Sequence, residues 1–397
     1  MAIRWLTLIL IFTSAVFLTG CWNAREINEL AFVMGIAVDE AKDNKVKVTV
    51  QMAKPSTFSK SPTGGSGGDK EKLFWVATAE GKTLFEAIRN MATFSSRRIF
   101  WSHNKVILIG EKLARRDISN ILDFFTRNSE LRLRTWVVVV PGEAGQLLEK
   151  GPNMEEDPAT SMEKVIAGRA LTGKSYATML KDFTDDYLSP ATYPVTGKLT
   201  VAKGQSQPAI KLEGAAVFEK NKLAGWLDEQ ETRGYLWLKN TIGNPVLVVP
   251  CPSGGEPMSI EVTMSKVDFK SHFKGQQPYL TIMVKTSGNL GEQKCNIDFT
   301  KPEKRREIEK ALETTISKDI QSAVKAAQQD FGLDYPGFNH IFHRQQNQKW
   351  YEIGHRWPQM FKEMEVSIQV DAKLPRVTLF AKPLESMKQP QPGSGEE

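Results

Sequence analysis

Apolar and polar residues change period several times along this chain, and each period predicts a different element. Behind Arg4, the residues from Trp5 to Leu18 form an uncharged, mostly apolar run. A helix needs about 20 such residues to cross a hydrocarbon core of roughly 30 Å, so this shorter run reads as a secretory signal. From residue 29 the period is two. Leu30, Phe32 and Met34 alternate, predicting a strand over 29–38 and a second over 45–52 after a turn at Asp43-Asn44. A strand over 74–79 follows, then a helix from a Thr83 cap to about residue 93, with Leu84, Ala87, Ile88 and Met91 on one face. Residues 103–109 read as strand, 117–125 as helix and 135–140 as strand. The last holds Trp136-Val137-Val138-Val139-Val140, a β-branched run suited to a strand covered on both faces. Such alternation of strands and helices predicts an α/β or α+β unit.

Residues 143–188 are mainly helical in pattern, bounded by Pro152 and Pro158. Residues 197–201 read as a linker into a second domain. Its strands are expected near 215–219, 223–227, 246–249, 259–266, 280–286 and 365–372. One long helix interrupts them, with Thr300 as N-cap and Pro302 in the first turn, where its missing N–H costs nothing. Ile308, Leu312, Ile316, Ile320, Val324, Ala327 and Phe331 recur almost entirely in steps of four. This disfavours a coiled coil and predicts a core helix laid across a sheet, with its charged opposite face solvated. The expected fold class is therefore α+β with two to three mixed domains and a C-terminal antiparallel-type sheet packed by one long helix. The division is a signal at 1–20, an N-terminal region at 21–197 with a break near 142, a C-terminal domain at 198–385 and a disordered tail at 386–397. The Gly/Ser-rich stretch within 55–72 is expected to be a flexible loop.

Composition adds little to this plan, but the cysteines add much. The chain has 41% hydrophobic and 25% charged residues, enough for a real core, and a formal net charge of +6. No basic run is interleaved with aromatics, so nucleic acid is disfavoured. The apolar run ends Leu18-Thr19-Gly20-Cys21. Small residues that admit a peptidase, followed by a thiol that can take a diacylglyceryl group, form the pattern of a bacterial lipoprotein signal. Cys21 is thus the expected lipidation site, and two acyl chains give stable anchoring where one is marginal. Cys251 and Cys295 remain. They read either as a disulfide worth roughly 3–4 kcal/mol in the chain-entropy model or as two buried thiols.

Gly168-Arg169-Ala170-Leu171-Thr172-Gly173-Lys174-Ser175 fits the phosphate-loop pattern by letter, but a helical pattern precedes it where a strand is required. His340, His343 and His355 lack further ligands at zinc spacing, and the acidic clusters at Glu155-Glu156-Asp157 and Asp185-Asp186 pair with no general acid. No catalytic residue, metal or cofactor is expected. Trp226, Arg233, Tyr235 and Trp237, around a helix starting after Asp228, read either as a partner surface or as a tryptophan pair at the core's edge.

Cys21-Trp22-Asn23 with Arg25-Glu26-Ile27, the stretch from Glu29 through Gly35-Ile36-Ala37-Val38-Asp39, Arg97-Arg98-Ile99-Phe100-Trp101-Ser102-His103-Asn104-Lys105, Gly214-Ala215-Ala216-Val217-Phe218 and the segment from Gly225 to Trp237 together resemble the C subunits of spore germinant receptors, the Ger(x)C lipoproteins. The family usually carries Asp where this chain has Asn23. The resemblance implies a three-domain α+β protein without enzymatic activity, lipid-anchored on the outer face of the spore inner membrane. Its implied partners are an A subunit with a large soluble domain and a transporter-like B subunit. Two functions fit it. One is a non-catalytic receptor subunit required to trigger germination; the other is a tethered protein that captures the germinant, which requires a polar cleft between domains.

Overall fold

Strands β1 (Leu30–Glu40), β2 (Val46–Ala53) and β3 (Phe74–Gly81) form an antiparallel meander. Asp43 and Asn44 make its first reversal at φ 56° and 57°, a left-handed conformation that Asp and Asn tolerate better than most residues. β4 (Arg98–Phe100) and β5 (Val106–Gly110) run parallel to β1, and β6 (Trp136–Val140) runs parallel to β5. The two-residue β7 (Thr178–Met179) pairs with β6; β8 (Val195–Ala202) lies parallel to β6, and β9 (Ala209–Glu219) and β10 (Lys222–Leu227) complete a ten-stranded sheet, eight strands of it in the order β10-β9-β8-β6-β5-β1-β2-β3 with β4 and β7 off this path. The computed structural model describes residues 3–5, 26, 29–54, 73–149, 155, 157–202, 204, 209–295, 297–299 and 301–375. Residues 6–25 with Cys21, residues 55–72, Pro152, Thr300 and the tail at 386–397 lie outside them.

The continuous apolar runs of β5 and β6 make sense only in a sheet covered twice. Ile107, Ile109, Val137 and Val139 enter the core formed with helices Leu84–Met91, Glu111–Arg116 and Ser119–Arg127. Val106, Leu108, Val138 and Val140 enter a second core with helices Gly145–Glu149 and Pro158–Ala167. The Thr83 cap and the four-residue apolar face that follows it are present as expected. Residues 197–201, in contrast, are strand. They lie within β8, paired to β6 and β9, so the boundary expected at 197/198 falls inside one sheet. Gly197 and Lys198 weaken the local strand signal, but the edge of β6 supplies backbone partners that override it.

A second sheet takes the order β11-β12-β13-β14, from β11 (Val246–Val249), β12 (Met258–Lys274), β13 (Gln277–Gln293) and β14 (Glu365–Lys373). Its first three strands are antiparallel, whereas β14 is parallel to β13 because the chain returns through a set of helices. The long helix Pro302–Lys325 buries Ile308, Leu312, Ile316, Ile320 and Val324, and a π-helical turn, Ala326–Phe331, extends it. The N-cap position is Lys301, with no side-chain cap. Its polar face is not wholly solvated: Glu309 and Asp319 are buried. Glu309 accepts from the Leu374 N–H at 3.0 Å, fixing the chain just past β14.

Candidate functional site

The segment Gly225 to Trp237 is the most distinctive in sequence, and the structure explains nearly every residue of it. Asp228 caps helix Glu229–Leu238 through a reciprocal pair: its carboxylate accepts from the Glu231 N–H at 2.7 Å, while Glu231 accepts from the Asp228 N–H at 2.8 Å. One turn on, Arg233 donates from Nε and Nη2 to the two carboxylate oxygens of Asp319, at 2.6 and 2.8 Å. Asp319 lies on the long helix and is 1% exposed; its carboxylate holds the Arg233 guanidinium above its usual pKa. Gly234 lets the two helices touch, because a Cβ there would sit 2.0 Å from the Asp319 carbonyl oxygen. Tyr235 meets Tyr176 edge-on with ring centroids 5.1 Å apart and lies 5.7 Å from Tyr335.

This geometry corrects the partner-surface reading. Trp237 is 0% exposed and Tyr235 2%, and Arg233 is committed to Asp319. Trp226 is half-buried, donating to Glu111 at 3.3 Å beneath the Lys198 ammonium. The four residues bolt a helix to the core. Trp, Tyr and Arg suit hot spots and crowded cores alike, so composition could not separate the two.

The phosphate-loop look-alike has an equally structural setting. Helix Pro158–Ala167 runs into a 3-10 turn, Gly168–Leu171, where a strand would have to stand. Lys174 faces Glu229 at 3.3 Å, and Ser175 is buried in a bridge to Gly214. Beside it is a cleft of about 260 Å³ whose lining includes Trp136, Ser175 and Asp182, with the half-buried Arg169 guanidinium 4.7 Å above the Trp136 ring. Burial pushes the Arg169 pKa down. Among the described residues, no three His, Cys, Asp or Glu side chains gather to hold a metal. His340 bonds Thr192 at 3.2 Å, His343 packs on Trp350 and Tyr351, and His103 meets Phe32 edge-on. Of the acidic clusters, Asp157 caps helix Pro158–Ala167, Glu155 pairs with Lys164 and Asp185 with Lys181. Cys251 and Cys295 are joined in a disulfide with Cα atoms 5.7 Å apart.

Three buried polar groups escaped the sequence reading. Asp39 accepts from the Ala144 and Gly145 N–H groups at 2.7 and 2.9 Å, pinning the loop after β6; burial raises its pKa against those two donors. Gln51 accepts from the Ala159 N–H at 3.0 Å. Asp334 accepts from the N–H groups of Gly337, Phe338 and Asn339 and from the Trp357 indole, and burial still pushes it up to about 6. A lone acid closing an apolar run, as in Gly35-Ile36-Ala37-Val38-Asp39, is the signal that could have found the first. A groove of about 1200 Å³ lies between helices Leu84–Met91 and Ser119–Arg127. Arg97, Arg98 and Trp101 of the Arg97–Lys105 motif line one side of it.

With these sites in place, comparison with known proteins gives the chain its relatives. Residues 23–201 match the family described as "Spore germination protein N-terminal domain", and residues 213–378 match "Spore germination B3/ GerAC like, C-terminal". Spore germination protein B3 of Bacillus subtilis (strain 168) is 27% identical over 90% of this chain and 94% of its own length. Spore germination protein KC of the same organism is 24% identical over 95% and 96%. The crystal structure of the GerBC protein superposes with a TM-score of 0.55 at 22% identity, covering 88% of this chain and all of that one, and supports the mixed two-sheet fold. The chain therefore belongs to the GerAC-type family of spore germination proteins.

Proposed function

We propose that this chain is a lipid-anchored, non-catalytic subunit of a nutrient germinant receptor complex. Its anchor is a diacylglyceryl group on Cys21, and it works beside A-type and transporter-like B-type subunits on the outer face of the spore inner membrane. The observation that carries this reading is the position of the family match, which begins at residue 23, directly behind the Leu18-Thr19-Gly20-Cys21 signal. Among the described residues no helix is long and apolar enough to cross a membrane, so attachment through the N-terminus suits the rest of the chain. The non-catalytic part is supported by the residues closest to a catalytic motif, since Lys174 pairs with Glu229 and Ser175 is buried. The test is Cys21→Ala in sporulating cells. Loss of metabolic lipid labelling together with a slowed germination response is expected; a variant that keeps both the label and the wild-type response rules the anchor out.

A further inference from the structure

The groove between helices Leu84–Met91 and Ser119–Arg127 has work to do that neither the fold nor the anchor explains. Six cationic side chains line it (Lys82, Arg89, Arg97, Arg98, Arg116 and Arg127) against two carboxylates, Asp123 and Glu130. Arg98 is paired with Glu130 at 2.9 Å, Arg127 with Asp123 at 2.7 Å and Arg116 with Glu40 at 2.8 Å. Among the described residues Lys82, Arg89 and Arg97 have no carboxylate partner, and the Nη1 atom of Arg97 is buried without a hydrogen bond. Between these charges the floor of the groove is apolar, made by the core residues Leu84, Ile88, Ile121 and Trp101. Phe85, 54% exposed beneath the Arg89 guanidinium, stands 6.2 Å from Phe124 of the facing helix. Lys82, Phe85 and Arg89 are exposed and take no part in the core beneath the groove.

We propose that this groove binds an acidic peptide segment of a partner protein, with an apolar side chain of the segment lodged between the two helices and its carboxylates on the arginines. Charge complementarity selects an acidic occupant, and the apolar lining selects one that also carries hydrophobic groups. The volume exceeds the roughly 300–1,000 Å³ of small-molecule sites, which disfavours a single small anion. A bilayer is flat on this scale and cannot enter a groove between two helices, which disfavours a lipid surface. The inference stands apart from the lipid anchor, because it needs only the folded chain.

Binding of a fluorescently labelled amphipathic peptide of about a dozen residues, built from Glu and Leu, to the purified full chain tests this, with a Lys/Leu peptide as its counterpart. Arg89 and Arg127 are exposed, so the Arg89→Glu, Arg127→Glu double variant keeps its fold, checked by circular dichroism. The Glu/Leu peptide should bind the wild type, lose at least about tenfold in affinity on the variant and weaken with salt, while the Lys/Leu peptide should gain on the variant. Equal binding of both peptides, absence of binding, or an unchanged affinity in the variant overturns the proposal. So does binding of phosphatidylglycerol vesicles or free glutamate in place of the peptide.

Discussion

At the scale of single residues, the junction between helix Glu229–Leu238 and the long helix depends on what Gly234 lacks. Gly234→Ala would set a methyl group 2.0 Å from the Asp319 carbonyl oxygen and 2.7 Å from the Ala323 Cβ, forcing the helices apart. Overpacking of this kind costs about 1–3 kcal/mol, to be read as a lowered midpoint in urea unfolding. Gly168→Ala, where the new Cβ meets nothing within 4 Å, should stay within about 0.5 kcal/mol of wild type. Equal losses in both variants would show that helix contact is not the cause. Residue roles were legible where the deciding partner lies nearby in sequence. Thr83 as a cap and the Leu84, Ala87, Ile88 and Met91 face follow from the residues beside them. For Arg233 the sequence leaves both readings open because its partner, Asp319, lies 86 positions away, and nothing local marks that acid as buried.

At the scale of elements, Asp334 organises the start of helix Phe338–Gln345 and ties it to Trp357 on helix Trp357–Glu363. Its carboxyl is held at about 6 by burial, above the ordinary 3.8. A folded-state pKa raised in this way favours the native state when the group is protonated, and that contribution is lost as pH rises through about 6. From pH 7 to pH 5 the unfolding free energy of the wild type should therefore gain roughly 1 kcal/mol relative to an Asp334→Asn variant. Parallel pH dependences of the two proteins would remove Asp334 from that role. Asn at this position has one acceptor oxygen for four donors, so the variant should also be less stable at every pH. Most elements could be read from periodicity, because burial imposes it locally. The long hairpin extends past the predicted 259–266 and 280–286: β12 runs to Lys274 and β13 starts at Gln277, and Val267, Phe269 and Phe273 keep a period of two against the core between charged and polar neighbours that mask it.

At the scale of the whole molecule, the larger sheet joins what sequence suggested were separate domains. Ala216, Phe218 and Leu223 lie in the same core as β1 and β5. A fragment covering residues 21–197 would stop inside β8 and strip β6 of its neighbour, whereas one ending at 227 keeps all ten strands. The shorter fragment should aggregate or unfold without cooperativity, and the longer should show a cooperative thermal transition; equal behaviour would separate the regions after all. Strand order was not legible, because the partner of β8 is fixed by the unpaired edge of β6 and not by anything within residues 195–202. The same sheet decides how the molecule meets a load. β1, the first strand among the described residues, is not at an edge: it is hydrogen-bonded to β5 on one side and β2 on the other, with β4 beside its beginning. Tension entering through the N-terminus and directed along β1 must shear the backbone bonds to β5 and β2 on both its sides together before the strand can leave the sheet. The end of the chain that is proposed to be tethered is thus the mechanically strong one.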